Sequence, residues 1–258
     1  MRNDEFPPSP GLSPHGGERG IGWTPPWPVQ RHPKGHLLET SGFRRKANHI
    51  PVAREGIPYI LAAAFTTLVW ALLHHTILAW LGLMATLLIA HFFRDPQRVD
   101  SAEASTVISP ADGKVIDISV MEEPCFTRER YRRVSIFMSV LDVHVNRAPC
   151  SGEVRGLCYK PGGYLAAFKR EASEKNEQNW IMIETTGGVR VIVTQVAGVL
   201  ARRIVCWPTV GESLARGERF GLIRFGSRVD VFVPENADVL LKVGDRVRAG
   251  ESVICRMK

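Results

Sequence analysis

The chain lacks the short sequence motifs that identify the commonest enzyme classes. Its 258 residues contain no G-x-S-x-G elbow, no phosphate-binding P-loop and no dinucleotide-binding fingerprint. An ordinary serine hydrolase therefore has little support, and any catalytic chemistry must come from residues outside these motifs.

Cysteine pairs at metal-binding spacing are also absent. The five cysteines form no C-x-x-C pair, and their odd number argues against a disulfide framework. We therefore predict buried, unreactive thiols in a reducing compartment at Cys125, Cys150, Cys158, Cys206 and Cys255.

Histidine is scarce in the C-terminal part of the chain, since only His144 of the eight histidines lies beyond residue 91. With no second histidine and no spaced cysteines in that part, we expect no metal site. If this part is an enzyme, His144 is its natural acid–base group, because the ordinary pKa of an imidazole lies near neutrality. The alternative is a histidine with a purely structural role in the core or in a turn.

Charged side chains are missing from Ile57 to Phe93, a run of 37 residues. One straight helix of that length would extend about 55 Å, well beyond a hydrocarbon core of about 30 Å. The polar His74-His75-Thr76 divides the run, so residues 51–98 are predicted to form a hydrophobic helical hairpin at the cell membrane. Basic residues flank the hairpin on both sides, which places both ends on the cytoplasmic face. A hairpin buried inside a soluble protein is the alternative.

Residues 1–50 hold seven prolines in the first 28 positions and show no apolar period. We predict that this segment is disordered and contains no signal peptide, because no apolar stretch follows a basic start. The net charge of +7 suits an acidic partner, either nucleic acid or an anionic membrane. The apolar hairpin favours the membrane as that partner, with no nucleic acid.

Residues 99–258 consist of short β-prone runs separated by glycine and proline, which predicts a mainly β, compact barrel-like or sandwich-like domain. A short helix is expected around Ala166–Glu174. The predicted strands are Thr106–Ile108, Lys114–Val120, Arg133–Met138, Gly152–Tyr159, Trp180–Glu184, Val189–Val196, Val229–Val233, Val239–Lys242 and Ser252–Cys255.

Two turns built on aspartate and glycine repeat within this domain, at Ser109–Val115 and at Val243–Val247 with Gly250. The second resembles the turn of the lipoyl- and biotinyl-type hammerhead barrels. A membrane-tethered carrier or export adaptor without catalysis is therefore an alternative function. Against it, the chain has no lysine at a carrier-type tip and no long heptad hairpin.

Gly226-Ser227 stands at the mouth of the predicted strand Val229–Val233. Glycine adopts backbone angles that other residues avoid, and the Ser227 hydroxyl can reach back to the Gly226 carbonyl carbon. Ser227, His144 and Asp112 could supply a nucleophile, a base and a group that orients the base. A plain glycine–serine turn is the alternative at the first position, and an aspartate that caps its own turn is the alternative at Asp112.

Seven stretches in one order make the chain resemble the short, prokaryotic-type phosphatidylserine decarboxylases, which depend on a pyruvoyl group. The resemblance covers Pro51 to the C-terminus and is specific only when the stretches are taken together. They are Phe92–Pro96, Ser109–Gly113, Leu141–Arg147, Glu174–Glu177, Gln195–Gly198, Ala201–Arg203 and Gly217–Ser227.

The resemblance implies that the chain cuts itself at Gly226–Ser227. Serinolysis, elimination and hydrolysis would give a β chain of residues 1–226 and an α chain of residues 227–258, held together as a heterodimer. The α chain would begin with a pyruvoyl group made from Ser227, the only cofactor implied, with no metal. This group would form a Schiff base with phosphatidylserine in an anionic membrane, and the products would be phosphatidylethanolamine and carbon dioxide.

The same resemblance assigns roles to individual residues. Ser227 is the nucleophile and the Schiff-base residue, His144 the acid–base group, and Asp112 its orienting partner. Longer members of the family carry a second histidine where this chain has Arg147, which leaves the proton donor open. Arg147, Arg202 and Arg203 are predicted contacts for the lipid phosphate, with ordinary surface charge as the alternative. A pyruvoyl decarboxylase for a soluble amino acid is a further alternative, which the membrane hairpin disfavours.

Overall fold

The computed structural model describes residues 29–31, 51–100, 102–103, 105–168, 171–199, 204–224 and 226–257. Its helices are α1 (Ile57–Leu72), α2 (Thr76–Phe92) and the short α3 (Ala172–Lys175), and a 3-10 turn at Arg54–Gly56 precedes α1. Its strands are β1 (Val29–Arg31), β2 (Thr106–Ile108), β3 (Gly113–Glu122), β4 (Arg130–Met138), β5 (Val145–Arg147), β6 (Gly152–Lys160), β7 (Gln178–Glu184), β8 (Arg190–Val196), β9 (Ile204–Cys206), β10 (Ser213–Leu214), β11 (Arg219–Ile223), β12 (Ser227–Pro234), β13 (Asp238–Val239), β14 (Arg246–Val247) and β15 (Val253–Arg256).

A large antiparallel sheet dominates the β domain and confirms the predicted mainly β class. Its strands follow the order β1-β6-β7-β8-β12-β4-β3-β14, and β10 pairs with β6 off this path. The sheet curls into a half barrel. Two three-stranded sheets, β5-β11-β9 and β13-β15-β2, complete the domain. The strand β12 lies inside the large sheet and pairs along both edges, with β4 and with β8.

The main core is made by aliphatic side chains from the inner face of this sheet. Val229 and Val231 of β12 pack with Ile136 of β4, and none of the three is exposed. The apolar residues of the alternating pattern that predicted this strand lie on its inner face, as expected for a strand with one side in a core. The strand begins earlier than predicted, at Ser227, because its ladder with β4 starts there.

Within residues 99–258, five strands were not predicted from the sequence: β5, β9, β10, β11 and β14. Each has two to five residues, too few for an alternating pattern to stand out. The predicted helix at Ala166–Glu174 is also corrected, since only Ala172–Lys175 is helical. The side chain of Asn176 bonds both the N–H and the C=O of Leu165, which keeps the preceding segment non-helical.

The predicted disorder of residues 1–50 lies outside the described residues except at β1. There, Val29–Arg31 pair with Gly156–Cys158 of β6. The composition of this segment did not predict that strand.

The predicted hairpin is confirmed as two helices that meet at a turn around His74, whose φ is +55°. The helices touch through Thr67 and Thr86, whose hydroxyl oxygens are 3.3 Å apart. They approach closely because Gly82 has no side chain, and a Cβ there would lie 2.6 Å from the Thr67 hydroxyl. Among the helices of the described residues, Arg54–Leu72 alone is both long and apolar enough to cross a bilayer.

The outer surface of the hairpin is apolar and exposed. Its large exposed side chains include Leu61, Phe65, Leu68, Leu72, Ile77, Trp80, Met84, Leu87 and Leu88. With 16 and 17 residues, the two helices are each about 25 Å long. An apolar surface of this extent is typical of a membrane or protein contact.

The base of the hairpin is fixed to the β domain by backbone and apolar contacts. Ala53 donates to the carbonyl of Phe93 at 2.8 Å, so the two ends of the hairpin run side by side. Phe92 packs with Val143 and Leu222, next to the sheet that contains β5 and β11. The hairpin therefore ends against the segment that carries His144.

Candidate active site

The ends of four neighbouring strands of the large sheet lie close to Ser227: β4 and β8 end there, and β12 and β3 begin there. Ser227 is paired with Met138, the last residue of β4, and Arg228 is paired with Val196, the last residue of β8. Gly113 begins β3 beside Phe137, because a Cβ on Gly113 would lie 2.2 Å from the Phe137 carbonyl oxygen. Neighbouring strands are about 4.8 Å apart. The segments that adjoin these strand ends therefore lie close to one another.

The Gly226 peptide is held in a conformation that only glycine adopts easily. Its φ is +56°, and no atom would obstruct a Cβ there. Its carbonyl oxygen instead lies against Gly198, where a Cβ would come within 1.8 Å of that oxygen. Glycine is therefore needed at both positions, at one for the backbone angle and at the other for space.

Ser227 is completely buried at the first position of β12. Its hydroxyl donates to the thioether sulfur of Met138 at 3.5 Å. A thioether is a weak acceptor, so the hydroxyl is positioned without being committed to a strong partner. The Asn146 side chain donates to the same sulfur at 3.8 Å.

A chain of buried carboxamides supports this arrangement. Gln195 donates to the Asn146 side-chain oxygen at 2.9 Å, and Asn179 donates to the Gln195 side-chain oxygen at 3.1 Å. Asn146 and Gln195 are fully buried, so each amide must satisfy the other, and the network has one preferred arrangement. It fixes the polar side of the site from β5 to β7.

His144 is buried directly before β5, and its backbone carbonyl accepts from Ile223 N–H at 3.3 Å. The imidazole Nδ1 lies 2.8 Å from the carbonyl oxygen of Asp142. Because a carbonyl only accepts, Nδ1 carries the proton and Nε2 carries a lone pair. Nε2 is buried with no hydrogen-bond partner among the described residues.

Burial lowers the pKa of His144 to about 4, against the smaller opposing effect of the Asp142 carbonyl. The ring of Phe92 lies on one side of the imidazole, with ring centroids 4.2 Å apart. His144 is therefore neutral at physiological pH, and its Nε2 carries an unshared lone pair.

Asp112 lies in the turn before β3, and the structure joins it to groups other than His144. One carboxylate oxygen pairs with Arg98 at 2.9 Å, and the other accepts from Ala249 N–H at 2.7 Å. Burial raises the pKa of Asp112, while Ala249 and Arg98 oppose that rise. The orienting contact predicted for Asp112 is made by the Asp142 carbonyl instead.

A pocket of about 390 Å³ opens beside Asp112, between the hairpin base and the turn that precedes β15. Three arginines contribute to its wall, which gives it an excess of positive charge. Its lining consists of Pro51, Arg94, Pro96, Arg98, Asp112, Val143 and Arg248.

The three arginines predicted to contact a phosphate have different outcomes. Arg147 is buried and pairs with Asp95 at 3.1 Å, while it also donates to the carbonyl of Gly217 at 3.0 Å. Burial lowers the pKa of Arg147 to about 10, so it remains charged. Its bonds are thus to groups of the protein, including the carbonyl of Pro96 in the pocket wall at 2.9 Å, and it is not itself among the lining residues. Arg202 and Arg203 lie outside the described residues.

The described residues contain no group of three or more histidine, cysteine or acidic side chains placed to hold a metal ion. All five cysteines are free, and four of them are buried. Burial raises the pKa of Cys150 and of Cys255 to about 12, so both thiols stay protonated.

Met138, Asn146, Gln195 and Gly198 are functional candidates that the sequence did not single out. Three of them lie in stretches that carry the family resemblance, but their roles depend on contacts across strands. The Ser227–Met138 contact spans 89 residues and the Gln195–Asn146 bond spans 49. The one local signal for these residues was the presence of asparagine and glutamine within apolar strands. A buried carboxamide in a strand needs a hydrogen-bond partner, and this indicates a polar network.

Replacing Arg147 by methionine is expected to destabilise the folded chain by about 3 kcal/mol, because Asp95 would lose a buried partner. The measurement is the free energy of unfolding in urea. Arg130→Met is the matched control, since Arg130 pairs with Glu235 on the surface at 3.1 Å. A surface pair of this kind contributes at most about 1 kcal/mol to the free energy of unfolding. Equal losses in the two variants would contradict a structural role for Arg147.

Comparison with known proteins adds an independent observation. A family model described as phosphatidylserine decarboxylase matches residues 85–255. A phosphatidylserine decarboxylase proenzyme of Geotalea uraniireducens is 46% identical over 204 residues, covering 79% of this chain and 95% of the relative. Proenzymes of the same name from Syntrophotalea carbinolica and Symbiobacterium thermophilum are 46% and 48% identical, covering 81% and 80% of this chain and 97% and 95% of the relatives.

Proposed function

The chain belongs to the phosphatidylserine decarboxylase family, and we propose that it matures by cutting its own Gly226–Ser227 peptide and then decarboxylates phosphatidylserine at a membrane. One observation carries the proposal: the buried Ser227 lies four residues after Ile223, which bonds the backbone carbonyl of a buried, neutral histidine whose Nε2 has no partner among the described residues. Family membership favours this function over the carrier or adaptor alternative.

The first step is an attack by the Ser227 hydroxyl oxygen on the Gly226 carbonyl carbon. The C–N bond breaks, the amine of Ser227 is released, and an ester joins the two residues. His144 takes the hydroxyl proton on Nε2, since Nδ1 already donates to Asp142. The positive φ of Gly226 and its contact with Gly198 hold the carbonyl in place for the attack.

The second step removes the Cα proton of Ser227 and expels the Gly226 carboxylate, which leaves dehydroalanine at position 227. Water then replaces the nitrogen, and ammonia leaves. The resulting pyruvoyl group supplies an electrophilic carbonyl that accepts the electrons released in a decarboxylation, which none of the twenty side chains provides. The buried start of β12 fits such a group, because Ser227 is shielded from water and has polar neighbours.

The pocket beside Asp112 is where we place the lipid headgroup. Its arginines complement a phosphate, and Val143 in its wall directly precedes His144. Asp112 thus contributes to the pocket, and Arg202 and Arg203 remain predicted phosphate contacts. His144 stands nearby to return a proton to the substrate carbon after carbon dioxide leaves.

The apolar hairpin gives this chemistry access to its substrate. A diacyl lipid stays in the bilayer, and the exposed face of α1 and α2 is suited to enter the bilayer at the cytoplasmic face. We propose the division of labour that the sequence predicted, with residues 51–98 as the membrane hairpin and residues 99–258 as the catalytic domain. After cleavage, residues 1–226 and 227–258 would remain together as two chains.

Intact-mass spectrometry of the purified protein tests the maturation step. We expect two chains of 226 and 32 residues from the 258-residue precursor, the shorter one with a pyruvoyl mass at its N-terminus. Ser227→Ala should stay uncut and should release no carbon dioxide from phosphatidylserine. Ser135→Ala is the matched control, because Ser135 is also a buried serine and its hydroxyl has no hydrogen-bond partner among the described residues. An uncut wild-type chain that is folded would refute the proposal.

Acidification should destabilise the uncut Ser227→Ala protein through His144. Its folded pKa of about 4 lies below its ordinary value of 6.5, so the unfolded chain binds the proton more tightly. The stability that this provides is complete above pH 6.5 and is lost as the pH falls toward 4. Between pH 7 and pH 5 the loss amounts to about 2 kcal/mol.

The free energy of unfolding in urea measures this effect. Adding His144→Gln should abolish that share of the pH dependence, while adding His91→Gln, at an exposed histidine, should leave it intact. The same pH dependence with and without His144 would show that its imidazole is not buried in the neutral form.

A charge on the outer face of the hairpin should weaken membrane binding. Leu87→Glu, at a side chain 62% exposed, is expected to lower binding to phosphatidylserine-containing vesicles about tenfold or more. The measurement is vesicle co-sedimentation, with Val120→Glu on the exposed face of β3 as the control. Unchanged binding of Leu87→Glu would place this face outside the bilayer.

A further inference from the structure

Large apolar side chains are exposed on three loops around the Gly226–Ser227 peptide. They follow β4, precede α3 and follow β8, and their exposed fractions run from 36% to 64%. We call five of them the apolar rim: Val140, Leu141, Leu165, Phe168 and Val199.

The three loops form one surface at the sheet edge that carries Ser227. The ring of Phe168 packs edge-to-face on Phe137, with centroids 5.9 Å apart. Phe137 lies three residues before Val140, where the exposed part of the loop after β4 begins. The Asn176 side chain bonds Leu165 and also donates to the carbonyl of Ala197 at 2.7 Å, two residues before Val199.

This surface continues into the base of the hairpin. Arg94, which follows α2, donates to the carbonyl of Leu141 at 2.7 Å. Arg224, two residues before Gly226, donates to the hydroxyl of Tyr59 in α1 at 2.8 Å. The apolar rim is therefore linked to the base of the hairpin through Leu141, and α1 is linked to the segment just before Gly226.

The loop with Phe168 is held in place by buried polar contacts. Arg228, the residue after Ser227, donates to the carbonyl of Ala167 at 3.2 Å and pairs with Asp230 inside the sheet. Ala167 is buried, whereas the neighbouring Phe168 is 60% exposed. A fixed loop that presents a phenyl ring to water is typical of an interaction surface.

We propose that the apolar rim is a second membrane-contact surface, which enters the boundary of the bilayer and presses the mouth of the active site against it. The proposal rests on the proposed function, in which the substrate is a bilayer lipid. Aromatic and aliphatic side chains suit this boundary. The arginines Arg94 and Arg248 beside the pocket would then lie at the level of the lipid phosphates.

The rim also explains how a lipid reaches a buried residue 227. With the mouth sealed against the bilayer, a headgroup can move into the pocket while its acyl chains stay in hydrocarbon. The rim thus acts on the transfer of the lipid, and the hairpin acts on membrane attachment.

Activity on two forms of the substrate distinguishes a role of the rim in lipid transfer from a role in catalysis. One is phosphatidylserine in mixed phosphatidylserine–phosphatidylcholine vesicles, and the other is short-chain phosphatidylserine below its critical micelle concentration. The variants are Leu141→Ser, Phe168→Ser and the double variant, with Val120→Ser as the control at an exposed valine on β3. The measurements are kcat/KM on both substrates, self-cleavage by intact mass, and sedimentation velocity.

We expect the ratio of vesicle to short-chain kcat/KM to fall about tenfold in the double variant, since less apolar area reaches the bilayer. The ratio should stay at the wild-type value in Val120→Ser. An unchanged ratio, or equal losses on both substrates, would overturn the rim as a lipid-facing surface. A change of oligomeric state in the double variant would assign the rim to a contact between copies. Failure of the wild type on both substrates would instead refute the proposed function.

Discussion

Strand β12 forms ladders along both of its edges, with β4 on one side and β8 on the other, and the geometry of the site depends on that double pairing. The strand begins at Ser227, which pairs with Met138 of β4, and the ladder with β8 begins one residue later, at Arg228. Gly226 stands just outside the ladder and takes a φ of +56°. A fixed nucleophile thus adjoins a carbonyl whose position is set by local backbone geometry and by Gly198.

The interior around this junction combines weak contacts with strong ones. The Ser227 hydroxyl meets only a thioether, and His144 Nε2 meets no partner among the described residues. Around them, carboxamides and the Arg147–Asp95 pair are fully engaged. The surrounding side chains are fixed by their own hydrogen bonds and ion pairs. The Ser227 hydroxyl and His144 Nε2 are therefore held in place without strong hydrogen bonds of their own.

Local pattern could predict the elements but not the partners. The alternation in Val229–Val233 predicted β12, and the polar His74–Thr76 predicted the hairpin turn, because both signals lie within a few residues. The role of Arg147 could not be predicted, since its partner Asp95 lies 52 residues away. The same holds for His144, whose orientation comes from the Asp142 carbonyl, a backbone group that every residue possesses and that no residue type reveals.

The central place of β12 has a consequence for the two-chain form. The proposed cut falls before the first residue of β12, so the ladders from Arg228 onward would stay in place on both sides of the strand. The 32-residue fragment would then be held like the complementing piece of a split protein. In the proposed two-chain form, such a fragment could not be exchanged without opening the ladders of β12 on both sides, so each molecule would keep the terminus that it made.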